Sequence, residues 1–188
     1  MEKGCPQGSS FGPLLWNLFQ NDLTSFVDNK LCMYADDHQF YESGKDFSLV
    51  EAKLQGTAKA VTEWYDQNGL KGNYTKYASM IISRSGKGDM SINVKDFTIE
   101  PEHSISLLGV HIDSKLSFSE HISNVCKKSS QKVGALMRLR NLIPTSAKLQ
   151  LFKAAILPHL TYCSTVWHFC KASDSRKLER VQEKGLRD

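Results

Sequence analysis

Long apolar runs, internal repeats and closely spaced cysteine pairs are all missing from this sequence. Crossing a bilayer takes roughly 20 consecutive apolar residues, and no stretch approaches that length, so we expect no membrane span and no membrane partner. The start, MEKGCP, has no apolar core and does not predict a signal peptide. Five cysteines, an odd number without CxxC spacing, indicate reduced thiols and an intracellular location, nuclear or cytoplasmic.

Length and composition are those of an ordinary globular protein. The 188 residues can bury a core in one domain or two small ones, with 40% hydrophobic and 23% charged residues. Charge is uneven, because 119–188 hold 13 lysines and arginines against five acidic residues, a net +8. The front part, 1–118, holds 11 against 15, a net −4. An acidic front suited to metals and a basic back suited to a polyanion favour a nucleic-acid enzyme, although a solvated helical surface explains the charge equally well.

Two adjacent carboxylates, Asp36 and Asp37, are the most informative local feature. They follow the apolar run Leu31–Tyr34 and precede His38–Tyr41, so the pattern predicts a hairpin with the acids at its tip. Like charges held side by side repel unless a cation neutralises them. Mg²⁺ prefers carboxylate oxygens and keeps water for substrate phosphates, so the pair predicts a metal site, with a solvated turn as the alternative.

The spacing of apolar residues predicts an α+β front and an all-helical back. Helices are expected over 10–26, 46–68, 121–142, 145–157 and 173–186, and strands over 31–41, 78–83, 92–94, 97–99 and 105–112. The last three strands would form a small antiparallel sheet. Asp46 and Asn68-Gly69 would bound the second helix, and Pro158 would stop the fourth. The character of the chain changes near 117, which predicts two domains, 1–117 and 118–188.

Three further segments carry chemistry. The glycine-rich loop Gly4-Cys5-Pro6-Gln7-Gly8-Ser9 enters a helix and could present backbone N–H groups to an anion, although it matches neither a P-loop nor a GxGxxG pattern. The polar loop 68–76 carries two lysines, and either could neutralise a leaving pyrophosphate. Within 107–112, Gly109 interrupts an apolar strand and permits close approach of another backbone. A turn, a solvated loop and core packing are the ordinary explanations of these three segments.

Taken in order, these segments resemble reverse transcriptases, and most closely the polymerases of non-LTR retrotransposons (LINE elements of the jockey type). The order is a Gly-x-Pro-Gln-Gly-Ser loop, a helix, a Tyr-Ala-Asp-Asp hairpin, a Trp-x-x-x-Asn-x-Leu helix end, a lysine strand and a Leu-Gly-Val strand. The stretch Ile156–Trp167 is similar to the one after the palm in those elements. The resemblance covers nearly the whole chain and implies a partial polymerase palm over 1–117, followed by a helical thumb or connection over 118–188.

The resemblance implies a role for each matching residue. Asp36 would ligate two catalytic Mg²⁺ ions, Asp37 would be the supporting acid, and Lys76 would assist the leaving pyrophosphate. Substrate contacts would come from the loop and the hairpin, namely Gly4, Pro6, Gln7, Gly8, Ser9 and Tyr34. The primer grip would be Leu108, Gly109 and Val110. Salt-sensitive contacts to backbone phosphates would come from basic thumb residues, namely Lys127, Lys128, Lys132, Arg138 and Arg140.

The implied enzyme copies RNA into DNA, with an RNA template, a DNA primer and deoxynucleotides as partners. Two-metal transfer needs carboxylates on both sides of the ions, and in the family an aspartate on a palm strand before the glycine loop supplies the second side. Only three residues precede Gly4, so we expect the fingers and that aspartate to be missing, and this chain alone to be inactive. A downstream acid such as Asp89, Asp96 or Asp113 could in principle substitute.

Three residues depart from the family pattern. Gly72 stands where leucine is usual and would loosen the segment before Lys76, Tyr77 stands for a threonine, and Trp16 stands for a phenylalanine.

Other functions stay open. One alternative is a non-catalytic nucleic-acid-binding remnant that keeps the basic thumb. Others are a decayed gene product that folds poorly, and a nucleotidyltransferase or glycosyltransferase that uses the acid pair differently. A rival zinc site would consist of His159, Cys163, His168 and Cys170, although structural zinc usually has tighter cysteine spacing.

Overall fold

The structure, a computed structural model, describes residues 4, 6, 8–27, 30–83, 90–139 and 141–187. The chain divides into two compact units: unit 1 is Met1–Ser79 with Gly88–Pro101, and unit 2 is Met80–Lys87 with Glu102–Asp188. Helices combined with antiparallel strand pairs confirm the predicted α+β class. The functional division of the chain at 117, into palm and thumb, stays a prediction.

Unit 1 contains two short helices, one long helix and two strand pairs. Its first half holds α1 (Gly12–Gln20), α2 (Leu23–Phe26), β1 (Lys30–Tyr34) and β2 (Asp37–Tyr41). Its second half holds α3 (Phe47–Gln67), a 3₁₀ turn (Tyr74–Lys76), β3 (Ile92–Val94) and β4 (Phe97–Ile99). The antiparallel pairs are β1 with β2 and β3 with β4.

The long helix α3 has clear signals at both ends. The Asp46 carboxylate accepts hydrogen bonds from the backbone N–H groups of Ser48, at 3.0 Å, and Leu49, at 3.3 Å, and so caps the first turn. At the other end Asn68 is followed by Gly69 with a φ of +69°, the left-handed conformation in which helices often end. Both predicted ends of this helix are confirmed.

The core of unit 1 lies between α2, α3 and the first hairpin. Its buried members are Leu23, Val27, Val61 and Trp64, and Leu31, Met33 and Phe40 of the hairpin pack against them. The apolar face of α1 is different, because Leu14 and Leu18 are 63% and 73% exposed. Helix α1 therefore contributes little to the core. It is attached by the Phe19 ring, which packs edge-on against Trp64 with the centroids 5.7 Å apart, and by polar contacts described below.

Unit 2 joins one hairpin to a helical assembly. The hairpin is β5 (Ser104–Leu107) with β6 (Val110–Asp113). The helices are α4 (Ser119–Arg138), α5 (Thr145–Leu151), a π-helix (Phe152–Ile156), α6 (Leu157–Thr161), α7 (Ser164–Trp167) and α8 (Ala172–Leu186). One core cluster comprises Val133, Leu136, Phe152, Ile156 and Leu160, and a second comprises Val110, Phe118, Ile122 and Trp167.

Two carboxylates tie these elements together. Asp113 accepts hydrogen bonds from the N–H groups of Ser117 and Phe118 at 3.1 and 2.7 Å, which fixes the corner between β6 and α4. Burial alone would raise the pKa of Asp113, but these donors lower it. Hydrogen bonds from Lys177 and from Ser119, both 2.7 Å, likewise lower the pKa of the buried Asp174, which links α8 to α4.

Several predicted elements are wrong, each for a local reason. Residues 78–83 form no strand, and only an isolated bridge joins Ser79 to Pro101. The stretch 105–112 is a hairpin, because Leu108 and Gly109 turn the chain with φ values of +47° and +81°. The three strand pairs are separate two-stranded sheets rather than one sheet.

Helix starts and stops also differ from the predicted ones. The first predicted helix is interrupted between α1 and α2, and Ser9 accepts a hydrogen bond from the N–H of Phe11 without capping α1. Pro158 does not stop the fourth helix, because it lies in the first turn of α6, where a missing N–H costs nothing. Within the described ranges no helix combines the length and apolarity needed to cross a membrane.

Candidate active site

The Tyr34-Ala35-Asp36-Asp37 segment is the tip of the β1–β2 hairpin, as predicted. Tyr34 pairs with Asp37, which leaves Ala35 and Asp36 as a two-residue loop. Such loops need positive φ values to match the twist of the strands, and Ala35 has a φ of +51°. A residue with a Cβ in this conformation costs about 1–2 kcal/mol, so neighbouring groups must hold the loop.

Trp16 on α1 supplies the first of these holding contacts. Its indole Nε1–H donates a hydrogen bond of 2.6 Å to the carbonyl oxygen of Ala35. Phenylalanine has no donor at this position, so the departure from the family pattern at Trp16 adds a bond to the carboxylate loop. The contact fixes the loop against a helix whose apolar face is otherwise largely exposed.

His38, directly after the acid pair, supplies the second contact. Its Nε2 lies 3.0 Å from Oε1 of the buried Gln20, and its Nδ1 lies 2.6 Å from the hydroxyl oxygen of Tyr65. An amide oxygen only accepts, so Nε2 donates to Gln20 and Nδ1 accepts from Tyr65. One imidazole therefore joins β2 to both α1 and α3.

Electrostatics keep this network neutral. Burial lowers the pKa of His38 below its ordinary value, even though Asp36 and Asp37 act to raise it. Burial raises the pKa of Tyr65. The imidazole of His38 and the phenol of Tyr65 are therefore both neutral. Neither group neutralises the negative charge of Asp36 and Asp37.

Asp36 and Asp37 are both exposed at the tip of the hairpin. Oxygen donors of this kind suit a hard cation such as Mg²⁺. Among the residues that the structure describes, no three histidines, cysteines, aspartates or glutamates come together, so the pair has no third ligand there. Asp113 is engaged as a cap, Asp96 is exposed beside β4, and Asp89 lies outside the described residues. The structure thus places two exposed carboxylates side by side, and their role as metal ligands stays a prediction.

The predicted substrate loop precedes α1. Gly4 and Gly8 have φ values of +94° and +83°, and the Ser9 N–H donates to the Pro6 carbonyl at 3.2 Å, so this segment is a turn. Gln7 lies outside the described residues. The roles expected for the loop and for Tyr34, whose side chain is 65% exposed, stay predictions.

Lys76 is the last residue of the 3₁₀ turn, and its side chain is exposed. The segment before it is packed rather than loosened. A Cβ added at Gly72 would lie 2.5 Å from the hydroxyl oxygen of Tyr77 and 3.2 Å from Cε1 of Tyr74. The two departures from the family pattern are therefore linked, because Tyr77 fills the space that a larger residue at 72 would need.

The predicted primer grip is the turn of the β5–β6 hairpin in unit 2. The Tyr162 hydroxyl donates a 2.7 Å hydrogen bond to the Leu108 carbonyl oxygen. A Cβ at Gly109 would lie 3.6 Å from Cε1 of the same tyrosine, so the ring covers the turn. Val110 is buried in the adjacent core cluster, and the primer-grip role of this turn stays a prediction.

Four of the five predicted phosphate contacts lie on α4. Lys127, Lys128 and Arg138 are exposed there, and Arg140 lies outside the described residues. Lys132 is engaged in a structural contact, because its ammonium group donates to the Ala155 carbonyl oxygen at 3.1 Å and also meets the His159 ring.

In the described part of the chain Cys32, Cys126, Cys163 and Cys170 are free thiols. The rival zinc site is not formed within the described ranges, because no three of His159, Cys163, His168 and Cys170 come together.

The residues that hold the two turns were not predicted from the sequence. Their partners are 19, 27 and 54 positions apart, as in Trp16–Ala35, His38–Tyr65 and Leu108–Tyr162, so no local spacing reveals them. One signal was available. His38 pairs with Met33 on the core-facing side of the hairpin, and a polar residue at such a position needs a hydrogen-bonding partner.

Comparison with known proteins agrees with the motif order. The family model described as "Reverse transcriptase (RNA-dependent DNA polymerase)" matches residues 1–112. The chain is 26% identical to the RNA-directed DNA polymerase from mobile element jockey of Drosophila melanogaster, over 98% of this chain and 21% of that protein. It is also 26% identical to the retrovirus-related Pol polyprotein from type-1 retrotransposable element R1 2 of Nasonia vitripennis, over 88% and 43%.

A third relative is the probable RNA-directed DNA polymerase from transposon X-element of Drosophila melanogaster, 24% identical over 98% of this chain and 21% of that protein. The chain therefore spans 21% to 43% of the length of these three curated relatives. No solved structure matches it.

Proposed function

This chain belongs to the reverse transcriptase (RNA-dependent DNA polymerase) family, and we propose that it forms the part of such an enzyme that presents Asp36 and Asp37 to a primer and an incoming deoxynucleotide. In that reaction the primer 3′-hydroxyl oxygen attacks the α-phosphorus of the nucleotide, and pyrophosphate leaves. One observation carries the proposal: two exposed aspartates at a left-handed hairpin loop that Trp16 and His38 hold from behind. Ordinary solvated turns need no such support.

Asp36 and Asp37 would hold Mg²⁺, which when bound stabilises negative charge on the transferring phosphoryl group. Two-metal transfer needs carboxylates on both sides of the ions. Because the described residues gather no third ligand, we propose that the remaining carboxylate comes from another part of the complete enzyme, and that this polypeptide alone does not extend a primer. In this proposal unit 1 keeps the two carboxylates adjacent and exposed to solvent, without a basic side chain bound to them.

The other site residues keep their family roles in this proposal. Lys76 would assist the leaving pyrophosphate, and the turn at Leu108, Gly109 and Val110 would position the primer. Template and nucleotide contacts would come from the loop before α1 and from Tyr34. The partners would be an RNA template, a DNA primer and deoxynucleotides, in the nucleus or cytoplasm. The exposed side chains of Tyr34 and Lys76 support these contacts.

Metal binding at the hairpin can be tested on the purified 188-residue chain. Mn²⁺, a paramagnetic probe for the Mg²⁺ site, should broaden the amide signals of the hairpin loop in nuclear magnetic resonance spectra. Asp36→Asn should abolish the broadening because it removes one of the two anionic ligands. Asp96→Asn, at an exposed acid beside β4, is the matched control and should leave the broadening unchanged. Equal broadening in wild type and Asp36→Asn would rule out the site.

Primer extension tests the second part of the proposal. With an RNA template, a DNA primer, deoxynucleotides and Mg²⁺, the isolated chain should give no product, because the described residues bring no third ligand to Asp36 and Asp37. Extension above background would show that these residues complete the site themselves.

A non-catalytic nucleic-acid-binding role is the second candidate, favoured by the net charge of +8 over 119–188. Under this alternative, duplex binding would be retained in Asp36→Asn, and Mn²⁺ would not broaden the hairpin signals. The same two samples therefore distinguish the two functions.

A further inference from the structure

One side chain, Tyr162, contacts both residues of the β5–β6 turn. Leu108 and Gly109 have positive φ values, +47° and +81°, as a two-residue hairpin turn requires. A leucine in this conformation is unfavourable because its Cβ crowds the backbone, so the turn needs support. The Tyr162 hydroxyl donates a 2.7 Å hydrogen bond to the Leu108 carbonyl oxygen. The tyrosine ring lies 3.6 Å from the position of a Cβ at Gly109. Tyr162 therefore holds the turn from outside the hairpin.

Tyr162 is itself anchored through its backbone. Its carbonyl oxygen accepts a 2.9 Å hydrogen bond from the indole Nε1–H of the buried Trp167. Trp167 belongs to the same core cluster as Val110, the residue directly after the turn. The backbone of Tyr162 and the strand that leaves the turn are thus attached to one cluster. The hydroxyl of Tyr162 consequently has a defined position relative to β6.

The hydrogen bond to Leu108 also fixes the peptide group between Leu108 and Gly109. A trans peptide is planar, and its C=O and N–H point in opposite directions. The described peptide bonds are all trans. Because the Leu108 carbonyl oxygen points towards Tyr162, the Gly109 N–H points away from it. Gly109 is exposed, and within the described ranges its N–H donates to no protein acceptor. The turn therefore presents a backbone donor whose direction depends on Tyr162.

Core packing does not account for the tyrosine hydroxyl. The side chain of Tyr162 is 50% exposed, whereas Val110 and Trp167 beside it are each 5% exposed. Its acceptor belongs to Leu108, which is also exposed, and water can satisfy an exposed carbonyl oxygen about as well as a protein donor does. The hydroxyl therefore adds little to the burial of the turn, and its main effect is to set the orientation of the turn.

We propose that Tyr162 is a positioning residue for the primer, because it orients the Leu108-Gly109 turn so that the Gly109 N–H donates to a phosphate oxygen of the primer strand. A backbone N–H that binds phosphate fixes the register of a strand without reading its sequence. The inference rests on the proposed function, in which this turn positions the primer. It adds to that function a residue 54 positions further along the chain.

Nuclear magnetic resonance of the ¹⁵N-labelled 188-residue chain tests this role. The probe is an RNA template annealed to a shorter DNA primer, so that the primer 3′ end is recessed. In the wild type the Gly109 amide signal should move as the probe is added, because its N–H gains an acceptor. Tyr162→Phe keeps the ring and removes only the donor to Leu108. We expect this variant to lose most of the Gly109 response and to bind the probe roughly fivefold more weakly, as for the loss of one hydrogen bond.

Tyr41→Phe is the matched control for loss of a surface hydroxyl. Tyr41 is 51% exposed, and within the described ranges its hydroxyl makes no hydrogen bond. This variant should keep the wild-type affinity and the wild-type response at Gly109. A purely structural role of Tyr162 would change hydrogen exchange at the turn of the free protein but would leave the response to the probe unaltered. The positions of the other amide signals would confirm that both variants are folded.

The outcomes separate this inference from the proposed function. If Gly109 responds equally in the wild type and in Tyr162→Phe, Tyr162 does not position the primer and the proposed function stands. If the wild type binds the probe without a response at Gly109, or does not bind it, the inference is wrong. The proposed function is judged independently, by the Mn²⁺ broadening at the hairpin of Asp36 and Asp37.

Discussion

Two hairpins of this chain make similar turns and use them differently. In unit 1 the β1–β2 pair closes through Ala35-Asp36, and in unit 2 the β5–β6 pair closes through Leu108-Gly109. The first loop residue has a positive φ in both, +51° and +47°. In both, the carbonyl oxygen of that residue accepts a hydrogen bond from an aromatic side chain, Trp16 at 2.6 Å and Tyr162 at 2.7 Å.

The second loop residue is the difference between them. Gly109 also has a positive φ, +81°, and lies under the ring of Tyr162. Asp36 carries an exposed carboxylate instead. An aromatic donor can therefore hold a left-handed loop without glycine at its first position, and the second position is then available for a chemical group. Each change below is directed at one hairpin or at its unit, so the other unit is the internal reference.

Overpacking the helices behind the unit 2 hairpin should give the largest effect. A Cβ added at Gly185 would lie 2.6 Å from Cε2 of the buried Phe152 and 3.2 Å from Cγ2 of Val133. We expect Gly185→Ala to lower the free energy of unfolding by about 1–3 kcal/mol. Hydrogen exchange should accelerate in α4, α8 and β5–β6 and stay unchanged in β1–β2.

Gly134→Ala on α4 is the matched control for Gly185→Ala. No atom lies within 4 Å of its added Cβ, so the variant should gain about 0.5–1 kcal/mol from the better helix former. A destabilised Gly134→Ala, or a neutral Gly185→Ala, would contradict the packing described here.

Exchanging glycine and alanine between the two loops should have opposite effects. Gly109→Ala places a Cβ at a φ of +81°, which costs about 1–2 kcal/mol, although the Cβ itself has ordinary contacts with Tyr162. Ala35→Gly relieves a similar strain but adds about 0.5–1 kcal/mol of unfolded-state entropy, so a small net gain is expected. Chemical denaturation of both variants measures the difference. If both variants change the free energy of unfolding in the same direction, the loops do not carry the strain described here.

Removing the aromatic donors should cost about 1 kcal/mol in each hairpin, the usual net contribution of a hydrogen bond. Tyr162→Phe keeps the ring and deletes only the hydroxyl that donates to Leu108. Trp16→Phe deletes the donor to Ala35. Amide exchange should accelerate at the β5–β6 turn in the first variant and at the β1–β2 turn in the second. If Trp16→Phe leaves the acid loop protected, the indole contact does not hold it.

Acid should destabilise unit 2 through His121. Burial, His111 and Lys128 all lower the pKa of this buried histidine. A histidine whose folded pKa is lowered stays neutral while the unfolded chain takes up a proton. Stability is therefore lost as the pH falls from about 6.5 towards the folded pKa, by about 1.4 kcal/mol for each unit of lowering.

Hydrogen exchange between pH 7 and pH 5 would measure the acid sensitivity of each unit. His121→Gln should reduce the acid sensitivity of unit 2, because glutamine does not titrate. An unchanged pH dependence in this variant would exclude His121 as the cause.

The sequence was most informative where the signals are local. Asp46 and Asn68-Gly69 defined both ends of α3, because capping acts within one helical turn. The acid hairpin was recognised from alternating residues on both sides of Asp36 and Asp37. In the candidate site, these two acids were identified, whereas the groups that hold them were not, since Gln20 and Tyr65 reach His38 only in the folded chain.

Two of the wrong predictions share a cause, which is that an apolar run does not by itself form a strand. Residues 78–83 are as apolar as a strand, yet within the described ranges they find one bridge, from Ser79 to Pro101. The run 105–112 contains a turn at Leu108 and Gly109. Leu108 is apolar, so Gly109 alone indicates a break in the sequence pattern. Pro158 was expected to end a helix, but the π-helix before it let the chain continue.

That π-helix, Phe152–Ile156, affects the orientation of the residues that follow it in unit 2. A π-turn accommodates one residue more than an α-turn, so every later side chain is offset by about 100° around the axis. Deleting Ala154 would restore ordinary spacing and rotate α6 by that angle, carrying Tyr162 away from the Leu108 carbonyl oxygen. The extra residue thus determines the direction in which Tyr162 points, and with it the contact between the helices and the hairpin of unit 2.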